Sequence, residues 1–229
     1  MRPPRVLPAV VLAAVAAGCG GTPSQPAAAV AASYHGVEPT QQVTRPSYVL
    51  TDTAGHPYDF GAETRGRPTY VYFGYTHCPD ECPTAMADLA AVLRRSPPTL
   101  RTQVRVVFVT TDPARDTAPV LRRWLDQFSI GFVGLRGSPA QVSAAQRATG
   151  IAVAQPGPPI PTLPGHPDRH STEAGTAAHK HIGPLGYSVN HSSVIFAYDA
   201  ADRLPVVYPG GVTPPEIAAD LPVLARRTS

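Results

Sequence analysis

The chain has 229 residues, of which 43% are hydrophobic and 15% are charged. This length suits one ordinary domain with accessory segments, and the hydrophobic content can supply its core. The formal net charge of +3 is too small and too scattered for a nucleic-acid-binding surface, so that class of protein is excluded. The 28 prolines and 19 glycines predict long irregular segments beside the folded part.

The N-terminus has the pattern of an export signal. Two arginines precede an apolar run at 6–17, which is shorter than the roughly 20 residues that a membrane-spanning helix needs. The run leads into "AGC", which is similar to the end of a bacterial lipoprotein signal. We therefore expect residues 1–18 to be a signal peptide and Cys19 to be lipidated. Ordinary cleavage that leaves Cys19 as a free thiol is the alternative.

The export signal predicts how the rest of the chain is arranged. Residues 19–46 begin with small, polar and proline-bearing sequence, and we interpret them as a flexible tether. Residues 47–229 are then the folded domain. A lipid on Cys19 would anchor this domain to the outer face of the bacterial cell membrane, outside the cytoplasm.

Extended and helical patterns alternate along the first half of the domain. The segment "YVLTDTAGHPYDF" predicts a hairpin with its turn at Asp52 to His56. The β-branched and aromatic residues of "RPTYVYFGYT" predict a buried strand. The apolar spacing of "CPTAMADLAAVLRRS" is helical, and two prolines stop it.

A second strand and two more helices follow. The strand is predicted in "QVRVVFVTTDP", and the next helix in "TAPVLRRWLDQF", where apolar residues form one stripe. In "SPAQVSAAQRATG" we expect Ser138 to be the N-cap, Pro139 the first helical residue and Gly150 the end.

The segment from Gln155 to Gly186 is rich in proline, glycine and histidine and has no apolar period, so we interpret it as an inserted mobile loop. Its histidines could capture a metal ion weakly, or the loop could be merely solvated. They are His166, His170, His179 and His181. After the loop, "SSVIFAYDAADRLPVVYPG" predicts two strands around a turn at 199–203, and "TPPEIAADLPVLARR" predicts a closing helix that begins at Thr213.

These elements predict an α/β fold with a mixed central sheet and helices on both faces. Ligands of such sheets bind beyond the carboxyl ends of the strands. Cys78 lies at such an end, four positions before Cys82. We expect Cys78 to be the first residue or N-cap of the following helix, with Pro79 at its first position.

Cys78 and Cys82 are the only thiols left if Cys19 is lipidated. A disulfide that closes so short a loop adds little stability, so a structural staple is disfavoured. On a helix, a spacing of four places both sulfur atoms on one side, and the N-terminal end of a helix stabilises a thiolate. The pair could bind a metal or form a redox-active disulfide, and the spacing permits both.

Four segments in order are similar to the SCO/SenC family of copper-binding thioredoxin-fold proteins. They are "YFGYTHCPDECP", "VFVTTDPARDT", "GFVGLRG" and "YSVNHSSVIFAYD", and the resemblance extends from about Ser47 to Arg226. It implies a thioredoxin-like fold with an inserted hairpin and a copper site of two cysteines and one distant histidine. It also implies a role in assembling the binuclear copper centre of cytochrome c oxidase. The matching ligands are Cys78, Cys82 and His191.

The chemistry of these three residues agrees with the resemblance. Two thiolates and one imidazole suit copper in either oxidation state. Structural zinc requires a fourth protein ligand, whereas three ligands leave a position open to the ligand of an acceptor. Many family members have Asp where this chain has Asn190, and we expect Asn190 to contact the histidine ligand.

Two further residues near the motifs are candidates. Asp112, in "DPARDT", is interpreted as a turn or cap residue, with a contact to the metal ligands as the alternative. His77 is expected to be exposed rather than to act as an auxiliary ligand, because adjacent side chains diverge.

Three functions are consistent with the sequence. The first is a copper chaperone, without enzymatic activity, that acts on the copper-binding subunit of cytochrome c oxidase. The second is a thiol–disulfide oxidoreductase that keeps the cysteines of that subunit reduced, for which His191 is dispensable. The third is a copper-sensing module that delivers no metal.

Overall fold

A computed structural model describes residues 33–159 and 187–226. The signal peptide, Cys19 and the four histidines of the insertion lie outside these residues. The strands are β1 (Val49–Asp52), β2 (Pro57–Asp59), β3 (Thr69–Gly74), β4 (Arg105–Thr110), β5 (Val133–Arg136), β6 (Gln155–Pro159), β7 (Tyr187–Asn190), β8 (Ile195–Tyr198) and β9 (Val206–Tyr208). The helices are α1 (Phe60–Thr64), α2 (Glu81–Arg95), α3 (Pro98–Arg101), α4 (Ala118–Asp126), α5 (Pro139–Thr149) and α6 (Pro214–Leu224).

Seven strands form the central sheet in the order β2-β1-β5-β4-β3-β8-β9. The pairs β3–β4 and β4–β5 are parallel, and the other neighbours are antiparallel. Every residue of β3 is buried, as expected for a central strand that helices cover on both faces. The predicted mixed sheet is therefore confirmed.

Alternate residues of β3 enter two different cores, because successive side chains of a strand point to opposite faces. Tyr70 and Tyr72 pack into the core that α2, α4 and α6 cover, which also contains Cys82. Val71 and Phe73 pack into the opposite core, with residues of α1 and α5. The candidate metal ligand Cys82 thus belongs to one specific face of the sheet.

Several predicted element ends are confirmed. The hairpin pairs Thr51 with Pro57. The hydroxyl of Ser138 accepts a hydrogen bond from the N–H of Gln141, and α5 ends at Gly150 in the left-handed conformation, with φ +82°. Thr213 is the N-cap of α6. These ends were predictable because capping depends on residues that are adjacent in sequence.

The structure also contains elements that the sequence did not predict. The short helices α1 and α3 were not predicted, and "GFVGLRG" contains the short strand β5, which pairs with β1 and β4. The beginning of the insertion was predicted to be loop and is instead the strand β6, in which Gln155 pairs with Asn190 of β7. Its backbone partner comes from the far side of the insertion, so local periodicity could not reveal the strand.

Residues 33–46, interpreted above as the end of a flexible tether, lie against the domain. Val37 forms an antiparallel bridge with Val207 of β9. The side chain of Arg45 is 2% exposed and donates hydrogen bonds to Asp202 and Thr64 and to two backbone carbonyls. Within residues 33–159 and 187–226, no helix has both the length and the apolar character needed to cross a membrane.

Candidate metal centre

Cys78 lies in the turn between β3 and α2, not at the helix itself. The N–H of Cys78 donates to the carbonyl of Tyr75 at 3.2 Å, so this stretch is still a turn. Asp80 is the N-cap, and α2 begins at Glu81. The prediction that Cys78 is the N-cap or first residue, with Pro79 at the first helical position, is therefore wrong by two to three residues.

The sulfur of Cys78 nevertheless accepts a hydrogen bond from the start of α2. Cys82 is the second residue of the helix, and its backbone N–H lies 3.4 Å from the Cys78 sulfur. Backbone N–H groups in the first turn have no partner within the helix. One of these N–H groups therefore points at the Cys78 sulfur, and stabilisation of a thiolate there stays a prediction.

Cys78, Cys82 and His191 converge. The Sγ atom of Cys82 lies 3.5 Å from Nε2 of His191, and the ligand atoms of the three residues all lie within 4.8 Å of one another. Atoms bonded to one metal ion at about 2.0–2.3 Å lie about 3.5–4.5 Å apart. The three side chains therefore fit a copper ion after shifts of a few tenths of an ångström.

The two cysteines have different environments. Both are free thiols, with Cys82 buried and Cys78 half-buried. Burial raises the pKa of the Cys82 thiol well above its usual range, so this thiol keeps its proton until a metal replaces it. A cavity of about 320 Å³ opens beside Cys78 and His191. An incoming ligand would therefore reach the centre from the Cys78 side.

A hydrogen bond and two aromatic rings orient the imidazole of His191. Its Nδ1 lies 3.2 Å from the carbonyl oxygen of Ser192. Because a carbonyl only accepts, Nδ1 carries the proton and Nε2 has a lone pair for a metal. The rings of Tyr75 and Tyr72 contact the imidazole edge to face, with centroids 5.5 and 6.1 Å away.

Asn190, the expected contact of His191, is an exposed residue at the end of β7. It lines the cavity at the centre, but in the described part of the chain no hydrogen bond joins its side chain to the imidazole. An influence of Asn190 on the metal stays a prediction.

Asp112 holds the strand that leads to His191. Its buried carboxylate accepts a hydrogen bond from the Tyr187 hydroxyl at 2.8 Å and forms an ion pair with Arg115. The Arg115 guanidinium stacks on the Tyr187 ring at 3.8 Å and also lies over Tyr75. Asp112 also begins a turn, because its carbonyl accepts a hydrogen bond from the N–H of Asp116. The Asp112 carboxylate anchors β7 to the end of β4.

Asp116 was not predicted to have a role, although it lies in the same "DPARDT" segment. It is fully buried and accepts hydrogen bonds from the N–H and hydroxyl of Thr76 and from the hydroxyl of Thr110. Burial raises the pKa of this carboxyl, while these donors oppose the shift. Its role is to fasten the turn before Cys78 to the end of β4, and only the long-range contact to Thr76 reveals it.

His77 does not join the metal centre. Its side chain is 43% exposed and its Nδ1 lies 3.7 Å from a carboxylate oxygen of Asp116. Among the described residues, the group of potential metal ligands at this site consists of Cys78, Cys82 and His191 alone.

The fold and the centre define a thioredoxin-like protein with a site for a thiophilic metal at the end of a central strand. The SCO1/SenC family model matches residues 37–226, and the chain belongs to this family, as the sequence resemblance implied. A protein of Stutzerimonas stutzeri, provisionally named a copper-binding protein, is 31% identical over 160 residues, which are 69% of this chain and 74% of that protein. The mitochondrial SCO2 homolog of mouse is 39% identical over 102 residues, which are 44% of this chain but only 39% of that protein.

Solved structures show the same fold. Apo Sco1 from Thermus thermophilus matches with a TM-score of 0.66 and 26% identity, over 84% of this chain and 97% of that one. Bradyrhizobium japonicum ScoI, solved with copper bound, matches with a TM-score of 0.61 and 28% identity, over 80% of this chain and 99% of that one. The predicted thioredoxin-like fold is thus confirmed.

Proposed function

We propose that this protein is a copper chaperone that binds one copper ion through Cys78, Cys82 and His191 and delivers it to the copper-binding subunit of cytochrome c oxidase. The observation that carries the proposal is the convergence of two sulfur atoms and one imidazole nitrogen within 4.8 Å. This ligand set suits copper. The copper-bound ScoI relative and the description of another Sco protein as a cytochrome c oxidase assembly protein support it.

The geometry supports release as well as binding. Three protein ligands leave one side of a bound ion open, and the cavity beside the half-buried Cys78 faces that side. A ligand of the acceptor can enter there before a bond to the chaperone breaks. The exchange changes no oxidation state, and each thiolate that loses the ion takes up a proton.

Copper titration of the reduced protein tests the binding site. We expect the wild type to bind one equivalent of Cu(I) against a chromophoric competitor, and His191→Ala to bind at least about tenfold more weakly because one of three bonds is lost. His77→Ala is the matched control and should bind like the wild type. Equal affinities for wild type and His191→Ala would overturn the proposal, as would an equal loss in His77→Ala.

Transfer is tested with the purified copper-binding domain of the organism's own oxidase subunit. Loaded chaperone and metal-free, reduced acceptor are mixed and separated, and copper is measured in each fraction. We expect copper in the acceptor fraction. Retention of all copper by the chaperone would contradict delivery while leaving copper binding intact.

A thiol–disulfide oxidoreductase is the second candidate, because both cysteines are free and their sulfur atoms lie within 4.8 Å. The two functions differ in their need for His191. Reduction of an oxidised acceptor by His191→Ala at the wild-type rate would favour the oxidoreductase, and a loss of transfer in that variant would favour the chaperone.

We further propose that the protein acts outside the cytoplasm and is anchored through Cys19. The signal-like sequence at 1–19 supports this, and a family member from Bacillus anthracis is described as a lipoprotein. Cys19→Ser should abolish incorporation of labelled palmitate and release the protein from the membrane fraction. Membrane attachment of the variant without label would contradict the anchor.

A further inference from the structure

A second cavity of about 300 Å³ adjoins the metal centre, between α2 and the loop that follows β9. It shares Asp80, Glu81 and Ser193 with the cavity at the metal centre. One end of it is lined by Tyr72, whose ring contacts the metal ligand His191. A molecule that occupies this cavity would therefore touch the edge of the metal centre.

The charged residues that line this cavity are all acidic. Asp80, Glu81 and Asp88 belong to the lining, which contains no lysine, arginine or histidine. Within the described part of the chain, none of the three carboxylates forms an ion pair; the Glu81 carboxylate accepts a hydrogen bond from the Ser193 hydroxyl. We call this cavity the acidic groove. No basic residue of its lining neutralises this negative charge.

The groove also has apolar and backbone features of a binding site. Ile195 and Ile217, which are buried, lie on its floor. The lining also offers polar side chains, including the buried hydroxyl of Tyr72 and the hydroxyl of Ser193. Ligand pockets combine an apolar lining with a few polar groups, and their volumes start at about 300 Å³.

Two glycines leave one rim of the groove open. Gly210 and Gly211 are exposed, and a Cβ atom at either position would meet no atom within 4 Å. An extended chain can approach this rim closely because no side chain stands in the way.

We propose that the acidic groove binds a segment of the copper acceptor in which a lysine or arginine lies a few residues from the acceptor's own metal ligand. This inference rests on the proposed delivery function and specifies the partner. A neutral or acidic segment would leave the three carboxylates partly desolvated without a compensating charge, which is unfavourable. A cationic side chain compensates them and accelerates the encounter electrostatically. Docking in the groove places the neighbouring acceptor ligand at the open side of the centre.

Short peptides that differ only at two charged positions test the inference. Fluorescently labelled peptides with Lys, Gln or Glu at those positions are titrated with the metal-free, reduced full chain, and anisotropy is measured at about 50 and 200 mM salt. We expect the Lys peptide to bind about tenfold more tightly than the Glu peptide and to weaken as salt increases.

Two variants and one control assign the binding to the groove. Asp88→Lys should lower the affinity for the Lys peptide by about tenfold. Gly210→Trp should block the groove and so weaken peptide binding without a change of charge. Glu63→Lys makes the same charge change as Asp88→Lys at an exposed position of α1, against the opposite core, and should bind like the wild type. Equal binding of Lys and Glu peptides, dissociation constants above about 1 mM for all peptides, or an equal loss in Glu63→Lys would overturn the inference.

Copper titration of the same variants separates this inference from the proposed function. Asp88→Lys should bind copper with wild-type affinity, since Asp88 is not a ligand. If the wild type binds the Lys peptide in the groove but does not bind copper, the proposed function fails and the docking surface remains.

Discussion

Cys82 packs directly against the backbone of Gly74, the last residue of β3. A Cβ atom at Gly74 would lie 2.7 Å from the Cys82 sulfur and 2.7 Å from a ring carbon of Tyr72. Both distances are far below normal van der Waals contact, so a methyl group must displace the candidate ligand Cys82 or the ring of Tyr72. The missing side chain of Gly74 is what allows the sulfur to approach the end of the strand.

Gly74→Ala should therefore impair the metal centre. We expect the free energy of unfolding to fall by about 1–3 kcal/mol, the cost of overpacking a core, and Cu(I) affinity to fall by about tenfold because Cys82 moves away from His191. Urea denaturation and competitive copper titration measure the two effects. Gly210→Ala, at an open position, should change neither, and wild-type copper affinity of Gly74→Ala would contradict the prediction.

Tyr187→Phe should loosen the strand that carries His191. The change removes the hydrogen bond from the hydroxyl to Asp112 and leaves the Arg115 ion pair in place. We expect a loss of about 1–3 kcal/mol in the free energy of unfolding and a severalfold weaker Cu(I) affinity, measured as above. The control is Tyr58→Phe on β2, at the other edge of the sheet. An unchanged affinity in a destabilised Tyr187→Phe would show that β7 does not depend on this anchor.

Copper binding should release at least one proton near neutral pH. Burial raises the pKa of the Cys82 thiol, so the metal-free protein holds this proton, and copper binds the thiolate. Apparent affinity should then rise about tenfold per pH unit for each proton released. Calorimetric titration in buffers with different ionisation enthalpies counts the protons. Cys82→Ser should release fewer protons when it binds copper. A wild-type titration without proton release would refute the prediction.

Attachment of the N-terminal segment to α6 should weaken as pH rises. The backbone N–H of His35 donates to the buried Asp220, and the His35 ring forms a 2.7 Å hydrogen bond to the same carboxylate. This bond raises the pKa of His35 above its ordinary value of 6.5. A raised pKa means that the protonated form favours the folded state. The contribution is therefore complete below the ordinary pKa and is lost as pH rises through the folded-state pKa.

Hydrogen exchange of residues 33–45 measures this effect. Protection should be higher at about pH 5.5 than at about pH 8.5, on either side of the histidine pKa. His35→Ala should abolish the difference between the two conditions. Equal protection of the wild type at both values would exclude His35 as the titrating group.

Element types and caps were predictable from local sequence. Ser138, Pro139 and Gly150 determine α5 because each acts on backbone groups within a few positions. The short strands β5 and β6 were not predictable from local sequence. Each is stabilised by a partner strand that is distant in sequence rather than by its own pattern. The start of α2 was misplaced because Pro79 suits the first turn of a helix but also the turn that precedes one.

The candidate metal ligands Cys78, Cys82 and His191 were named from motifs that resemble the SCO/SenC family, and the chemistry of two thiolates and an imidazole agreed with that resemblance. Whether those atoms meet depended on the tertiary structure, because β7 delivers His191 from a position 109 residues beyond Cys82. The roles of Gly74 and Asp116 also emerged only in the folded chain. Close approach and burial are relations between distant segments, and a linear sequence specifies them only through the energy of the whole fold.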